Sequence, residues 1–235
     1  MELSGIQKMT LLDFPGKCAC TVFFSGCNLR CPFCHNASLV LGSPEPVMDE
    51  DAFFTFLKKR KGLLDGVCVT GGEPTLRRDL PDFIRRIKDM GYLVKLDTNG
   101  SNPRMLKELL EENLLDYVAM DIKNGPEQYA ATCGLEKMDL TTIERSIRFL
   151  TGGAVDYDFR TTVVRELHNE ASITQMGKWL QNVAGSPVKR LFLQGFVDRD
   201  TVKFAGLSAP DDAKMQQFQS ILAPFAEIVK IRGSE

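Results

Sequence analysis

Short apolar, β-branched runs recur along the chain at residues 18–24, 66–70, 92–98, 117–122, 158–164 and 189–196, with a seventh candidate at 227–232. Runs of this length, bounded by turn-forming residues, read as strands. The stretches 49–61, 78–90, 103–113, 141–150, 171–183 and 211–222 carry the amphipathic period of helices. No other property of the sequence is so restrictive, because repeated strand-then-helix units form a parallel sheet joined by right-handed crossovers. Six units make either an open doubly wound α/β sheet or an incomplete (β/α)6 barrel. Residues 1–17, with LLDFPGK, read as a turn-rich lead-in, and 123–139 as a long irregular connection. A hydrophobic share of 43% with 26% charged residues fits one globular domain spanning 1–235.

The balance of charge excludes some partners. Lys plus Arg number 29 and Asp plus Glu 31, a net charge of −2, so no global field draws nucleic acid or an anionic membrane. The basic run KKRK at 58–61 ends an amphipathic stretch just before Gly62, which is the pattern of a helix C-terminus. No apolar stretch approaches the roughly 18 residues of a spanning helix, and the first residues lack a secretion signal. Seven cysteines, an odd number clustered near the N-terminus, point to a reducing, cytoplasmic setting.

The unusual residues gather where strands end. SGCNLRC follows the first strand, GGEP the second, DTNG the third and DIK the fourth, while Gln194 lies late in the sixth. Both candidate folds place active sites at those ends. Cys27, Cys31 and Cys34 form a C-x3-C-x2-C pattern, and Pro32 between them favours a loop over a continuous helix. Three thiolates around a cubane of four irons leave one iron open, as catalytic metal centres require. The alternative is a structural zinc site with His35 as fourth ligand, although adjacent Cys34 and His35 make a tetrahedron awkward. Cys18, Cys20, Cys68 and Cys133 read as small buried residues without chemistry. His168 reads as a surface residue of a loop.

These motifs in this order, with the aromatic Phe33 before the third cysteine, His35-Asn36 after it and the opening IQKMTLLDFPGK, resemble the radical S-adenosylmethionine superfamily. Within it the chain is most similar to glycyl-radical-enzyme activases, in particular the anaerobic ribonucleoside-triphosphate reductase activating proteins. The resemblance implies an incomplete (β/α)6 TIM-like barrel, with a [4Fe-4S] cluster on Cys27, Cys31 and Cys34 in the loop 27–36. It implies S-adenosylmethionine bound through its amino and carboxylate groups at the open iron. Reductive cleavage would give a 5′-deoxyadenosyl radical that takes hydrogen from a glycine of a partner enzyme, with electrons from a flavodoxin- or ferredoxin-type donor.

Several further residues match the family pattern. Phe33 and His35 flank the cluster, Gly71, Gly72 and Glu73 form the element that meets the ligand's ammonium, and Lys123 beside Asp121 faces its carboxylate. Asp97 and Arg160 stand near the ligand. Asp97, Thr98, the Met120 carbonyl and Asp121 match a shell for a monovalent cation, Na+ or K+. Gln194 stands where pyruvate formate-lyase activases have a histidine, a departure that fits the ribonucleotide-reductase branch. Two rivals remain: an enzyme of the same superfamily acting on a small molecule, such as a 7-carboxy-7-deazaguanine synthase, which would share every one of these motifs, and, in a different class, a non-catalytic iron-sulfur or zinc protein that transfers electrons or stabilises a fold.

Overall fold

The computed structural model describes residues 2–42 and 44–232. In chain order its elements are β1 (Glu2–Leu3), β2 (Gly5–Thr10), β3 (Ala19–Phe24), α1 (Ala37–Leu41), β4 (Met48–Asp49), α2 (Glu50–Lys59), β5 (Gly66–Gly71), α3 (Leu80–Asp89) and β6 (Leu93–Thr98). Then follow α4 (Pro103–Glu111), β7 (Tyr117–Asp121), α5 (Pro126–Thr132), α6 (Thr141–Thr151), β8 (Asp156–Val163), α7 (Glu170–Ala184), β9 (Val188–Gly195), α8 (Asp212–Leu222) and β10 (Ala226–Arg232). Local chemistry sets the helix ends. Asp49 Oδ1 accepts from Ala52 N at 2.7 Å to start α2, and Lys58 and Lys59 close its last turn, as the KKRK run implied. Asn169 and Ser172 make a reciprocal capping box at the start of α7.

The strand order settles which α/β topology the alternation produces. One eight-stranded sheet runs β10-β9-β8-β7-β6-β5-β3-β2, and the seven strands from β3 to β10 in it are parallel. Their spatial order is their chain order. A doubly wound sheet reverses direction at a switch point, whereas this one winds one way only, as in a barrel. The terminal strands β2 and β10 are not neighbours, so the barrel stays incomplete.

Two expectations are corrected. The lead-in is not merely turns: β2 pairs antiparallel with β3, from Gly5 opposite Phe23 to Thr10 opposite Ala19, and β1 pairs with β4. The connection 123–139 contains the helix α5, which Pro126 opens at its first turn.

The main core lies between the sheet and its helices, where the rings of Phe24, Phe53 and Phe83 stand 5.5 Å apart in successive pairs. Burying each such ring contributes about 1.5–3 kcal/mol. The opposite face of the sheet is chemically different. Counting back by two from Asp97, Asp121 and Arg160, which face the cavity described below, gives Lys95, Ala119 and Asp158, all buried. Phe14, from the lead-in, closes the far end of this interior against Tyr117, with ring centroids 6.2 Å apart.

Candidate active site

A cavity of about 260 Å³ opens at the C-terminal ends of the strands. One wall is the cluster loop, with Cys27, Cys31, Phe33, Cys34 and His35. The other consists of Gly71 and Gly72 after β5, Asp97 and Thr98 of β6, Asp121 and Lys123 from β7 onward, Arg160 of β8 and Gln194 of β9. Of the residues singled out in the sequence, only Glu73 and Met120 do not line it. The Met120 side chain instead packs against Gly100.

The cysteine loop is non-helical from Cys27 to Asn36, as Pro32 implied. It is clamped from both sides. Arg30 N donates to the Cys133 carbonyl oxygen at 2.9 Å, and Gly26 N to Leu39 O at 2.8 Å. All seven cysteines are unbridged. Burial pushes the thiols of Cys27 and Cys34 up. Cys31 goes the other way, to about 7, because the Cys133 side chain hydrogen-bonds to it and Lys123 stands near. Cys133 is therefore more than a small buried residue: its thiol, pushed far up by that same bond and by burial, supports Cys31.

The zinc alternative finds no geometry here. His35 Nε2 lies 2.7 Å from the Val197 carbonyl oxygen and its ring stacks on Phe196 at 5.7 Å. Among the described residues no three or more His, Cys, Asp or Glu side chains converge on the position of a single ion. Cys27, Cys31 and Cys34 all line the same cavity, and three thiolates are the donor set of an iron-sulfur cluster.

The opposite wall is a chain of alternating charges. Lys123 Nζ lies 2.8 Å from Asp121 Oδ2, although β7 ends at Asp121 and the lysine belongs to the loop beyond it. Arg160 bridges Asp97 Oδ2 and Asp121 Oδ1, each at 3.4 Å. Lys95, almost wholly buried, contacts Asp97 Oδ1. Burial alone would raise both carboxyls. Arg160 and Lys95 outweigh it at Asp97, and Lys123 and Arg160 at Asp121, so both lie below the ordinary carboxylate range. Burial likewise opposes the charge on Lys123, but Asp121 holds its ammonium well above the usual value. The carboxylates expected to hold Na+ or K+ thus already face ammonium and guanidinium groups, and Thr98 Oγ1 donates to Glu73 Oε1 at 2.8 Å. That shell is not a set of free oxygens.

Glycine at 71 and 72 has a packing reason. Gly71 has φ 131°, and a Cβ on Gly72 would fall 2.0 Å from the Gly26 carbonyl oxygen. The GGE turn is thereby pressed onto the start of the cysteine loop, and Asn36 Nδ2 donates to the Gly71 carbonyl oxygen at 2.9 Å. Glu73 points away from the cavity. It is buried, and it accepts from Thr75 N at 3.1 Å, Thr98 Oγ1 at 2.8 Å and Asn99 N at 2.6 Å. Its role is to fasten the β5 and β6 turns together. The sequence reading also missed Lys95 and Thr162, and it quoted Asn36 and Asn99 within motifs without giving either a place in the site. For Thr162 the signal was available, since it alternates with Arg160 along β8. His168 is not on the surface. It is buried, with Nε2 2.9 Å from the Lys123 carbonyl oxygen.

With this geometry in hand, three likenesses to known proteins carry weight. Over 236 aligned positions the chain is 28% identical to a Methanocaldococcus jannaschii protein named "Putative glycyl-radical enzyme activating enzyme", covering 98% of this chain and 95% of that one. It is 31% identical to a 7-carboxy-7-deazaguanine synthase of Koribacter versatilis, over 64% of this chain and 65% of the relative. A solved domain of a pyruvate-formate lyase-activating enzyme from Bacteroides vulgatus shares the fold, with a TM-score of 0.57 at 20% identity over 72% of this chain and 99% of that chain. The family model of the radical SAM superfamily matches residues 21–171, from β3 into α7 and so across the cysteine loop and most of the charged wall. This chain belongs to the radical SAM superfamily, and is an enzyme of the class that works with a [4Fe-4S] cluster and S-adenosylmethionine.

Proposed function

We propose that this protein is a glycyl-radical-enzyme activating enzyme whose partner is an anaerobic ribonucleoside-triphosphate reductase. The observation that carries the reading is the likeness to the Methanocaldococcus jannaschii protein, which runs end to end in both chains, whereas the deazaguanine synthase is matched over about two thirds. The unsealed barrel agrees, since a glycine on a partner's loop needs a side entrance.

In this reading Cys27, Cys31 and Cys34 hold the cluster, and the cluster, when bound, supplies the electron that cleaves S-adenosylmethionine. The protein's own part is placement. Lys123, held by Asp121 and lying 5.8 Å from the centre of the Phe33 ring, offers its ammonium to the methionyl carboxylate. The backbone at Gly71 and Gly72 meets the amino group. Arg160 and Asp97 fix the charge beneath the ligand, and the Gln194 amide is placed to hydrogen-bond the nucleoside. His35 and Phe33 narrow the approach of water to the reacting carbon. A flavodoxin- or ferredoxin-type donor delivers the electron, and the unbridged cysteines suit a reducing cytoplasm.

The test is to reduce the reconstituted protein anaerobically with S-adenosylmethionine and a candidate anaerobic reductase, then to record electron paramagnetic resonance spectra. A glycyl radical signal in the reductase, with formation of 5′-deoxyadenosine, is the expected result. Turnover of a small deazapurine precursor without that signal would move the protein to the rival branch. No 5′-deoxyadenosine at all would leave only a cluster-binding role.

A further inference from the structure

Among the described residues Lys95 is the one lysine carried inward by a central strand, and beyond its charge on Asp97 it has no role in the site so far. It sits on β6 two residues before Asp97, on the same face, with 2% of its surface exposed. Its Nζ contacts Asp97 Oδ1 and lies 3.7 Å from Cys68 Sγ. A lysine buried this deeply is tolerated only with its charge compensated. The compensation is one-sided. Asp97 gives its other oxygen, Oδ2, to Arg160 Nη1 at 3.4 Å, and that is the hydrogen bond that orients the guanidinium. Arg160 Nε is buried with no hydrogen-bond partner, 3.4 Å from Asp121 Oδ1 and 3.9 Å from Asp158 Oδ1. Arg160 therefore takes its position from Asp97, and Asp97 takes its position from Lys95.

We propose that Lys95 is a positioning residue, a cation tethered inside the barrel that fixes Asp97 and through it Arg160 for S-adenosylmethionine, so that the site works without a dissociable Na+ or K+. The inference rests on the reading of the cavity as the S-adenosylmethionine site. Without the ammonium, Asp121 keeps Lys123, Asp158 keeps Arg232 at 3.4 Å and Arg160 is shared among all three carboxylates, so the loss falls on Asp97, whose Oδ1 is left facing an empty pocket with no cation of its own. A small monovalent cation entering that pocket would take the place of the ammonium on Oδ1, because carboxylate oxygen suits such an ion. A methionine in place of the lysine fills the pocket and keeps the ion out.

The experiment measures S-adenosylmethionine affinity for the cluster-reconstituted protein by equilibrium dialysis, at constant ionic strength, with KCl exchanged for tetramethylammonium chloride. Wild-type affinity is expected to be the same in both salts. Lys95→Ala is expected to bind on the order of ten-fold more weakly in tetramethylammonium, in the usual range for coupling between adjoining groups, and to recover as K+ or NH4+ is added. Lys95→Met is expected to be weak in every salt. A merely structural lysine would not make affinity depend on which monovalent cation is present. The proposal is overturned by a wild-type affinity that follows K+, by Lys95→Ala binding as tightly as wild type in tetramethylammonium, or by a loss that no small cation reverses. Should Lys95→Ala fail to hold its cluster, Lys95→Ser takes its place in the same salt comparison, with the same expected and overturning results. Failure of the wild-type protein to bind S-adenosylmethionine would overturn the reading of the cavity as well, whereas normal wild-type binding with an indifferent Lys95→Ala would overturn this inference alone.

Discussion

His168 Nε2 donates to the carbonyl oxygen of Lys123 at 2.9 Å, so a buried ring between β8 and α7 pins the backbone of the lysine that pairs with Asp121 on one wall of the cavity. Val164 N donates to Nδ1 at 3.0 Å, which fixes the tautomer with its proton on Nε2. The Val164 carbonyl oxygen lies 3.1 Å from the same nitrogen and is the acceptor for a proton added there, so burial, not a clash of donors, opposes protonation.

A pH dependence follows from that arrangement. Burial pushes the His168 ring below its ordinary value of 6.5, so between the two values the unfolded chain binds the extra proton and the folded one does not. Stability is then complete above about pH 6.5 and is lost as pH falls toward the folded value, by up to about 1.4 kcal/mol per pH unit. Urea titrations of wild type and His168→Phe between pH 5 and 8 check this: the variant, less stable at pH 8 by about 1–3 kcal/mol from its orphaned backbone groups, should show a flatter acid limb.

Gly72 tests the contact between the GGE turn and the cysteine loop. In Gly72→Ala the new methyl group meets the Gly26 carbonyl oxygen at 2.0 Å, so one loop must move. Iron and sulfide content after anaerobic reconstitution should fall well below wild type. Gly195→Ala, where no atom lies within 4 Å of the added carbon, should stay within about 0.5 kcal/mol of wild-type stability and keep its iron.

The support that Cys133 gives Cys31 predicts an order of reactivity in metal-free protein. With its thiol lowered to about 7, Cys31 should be alkylated by iodoacetamide at pH 7.5 before Cys27 and Cys34, whose thiols burial pushes up. Mass spectrometry of peptides at short times reads this directly. Cys133→Ala should slow labelling of Cys31 while leaving cluster assembly intact, and Ala at 27, 31 or 34 should abolish the brown colour.

Much of this architecture could be read before any coordinates. The seven parallel strands fall within two residues of the expected runs, because β-branched runs between amphipathic segments have few alternatives. The motifs at their ends converge because parallel strands bring those ends to one side. What escaped reading has physical causes. β2 carries only two large apolar residues and buries little, so it had no hydrophobic signature. α5 is short and lies between Pro126 and Gly134, which read as loop. Lys95 alternates with apolar neighbours in YLVKLDT, a pattern that on a flat sheet means solvent; here the inner face is the polar one. His168 sits in a tight turn that folds inward only because the Lys123 backbone is there to receive it.

The one-way winding of the sheet leaves β10 with a partner on one side only. Its outer rim is a row of backbone donors and acceptors that a strand from another molecule could adopt, and Ile228 is exposed along it. Glu227 and Lys230, both exposed, interrupt that rim with charge of opposite sign, whereas Arg232 turns inward to Asp158. Solubility at the crowded concentrations of a cell therefore depends on two ionic side chains far from any chemistry, and neutralising them should make the protein adhere to itself while every reacting group remains in place.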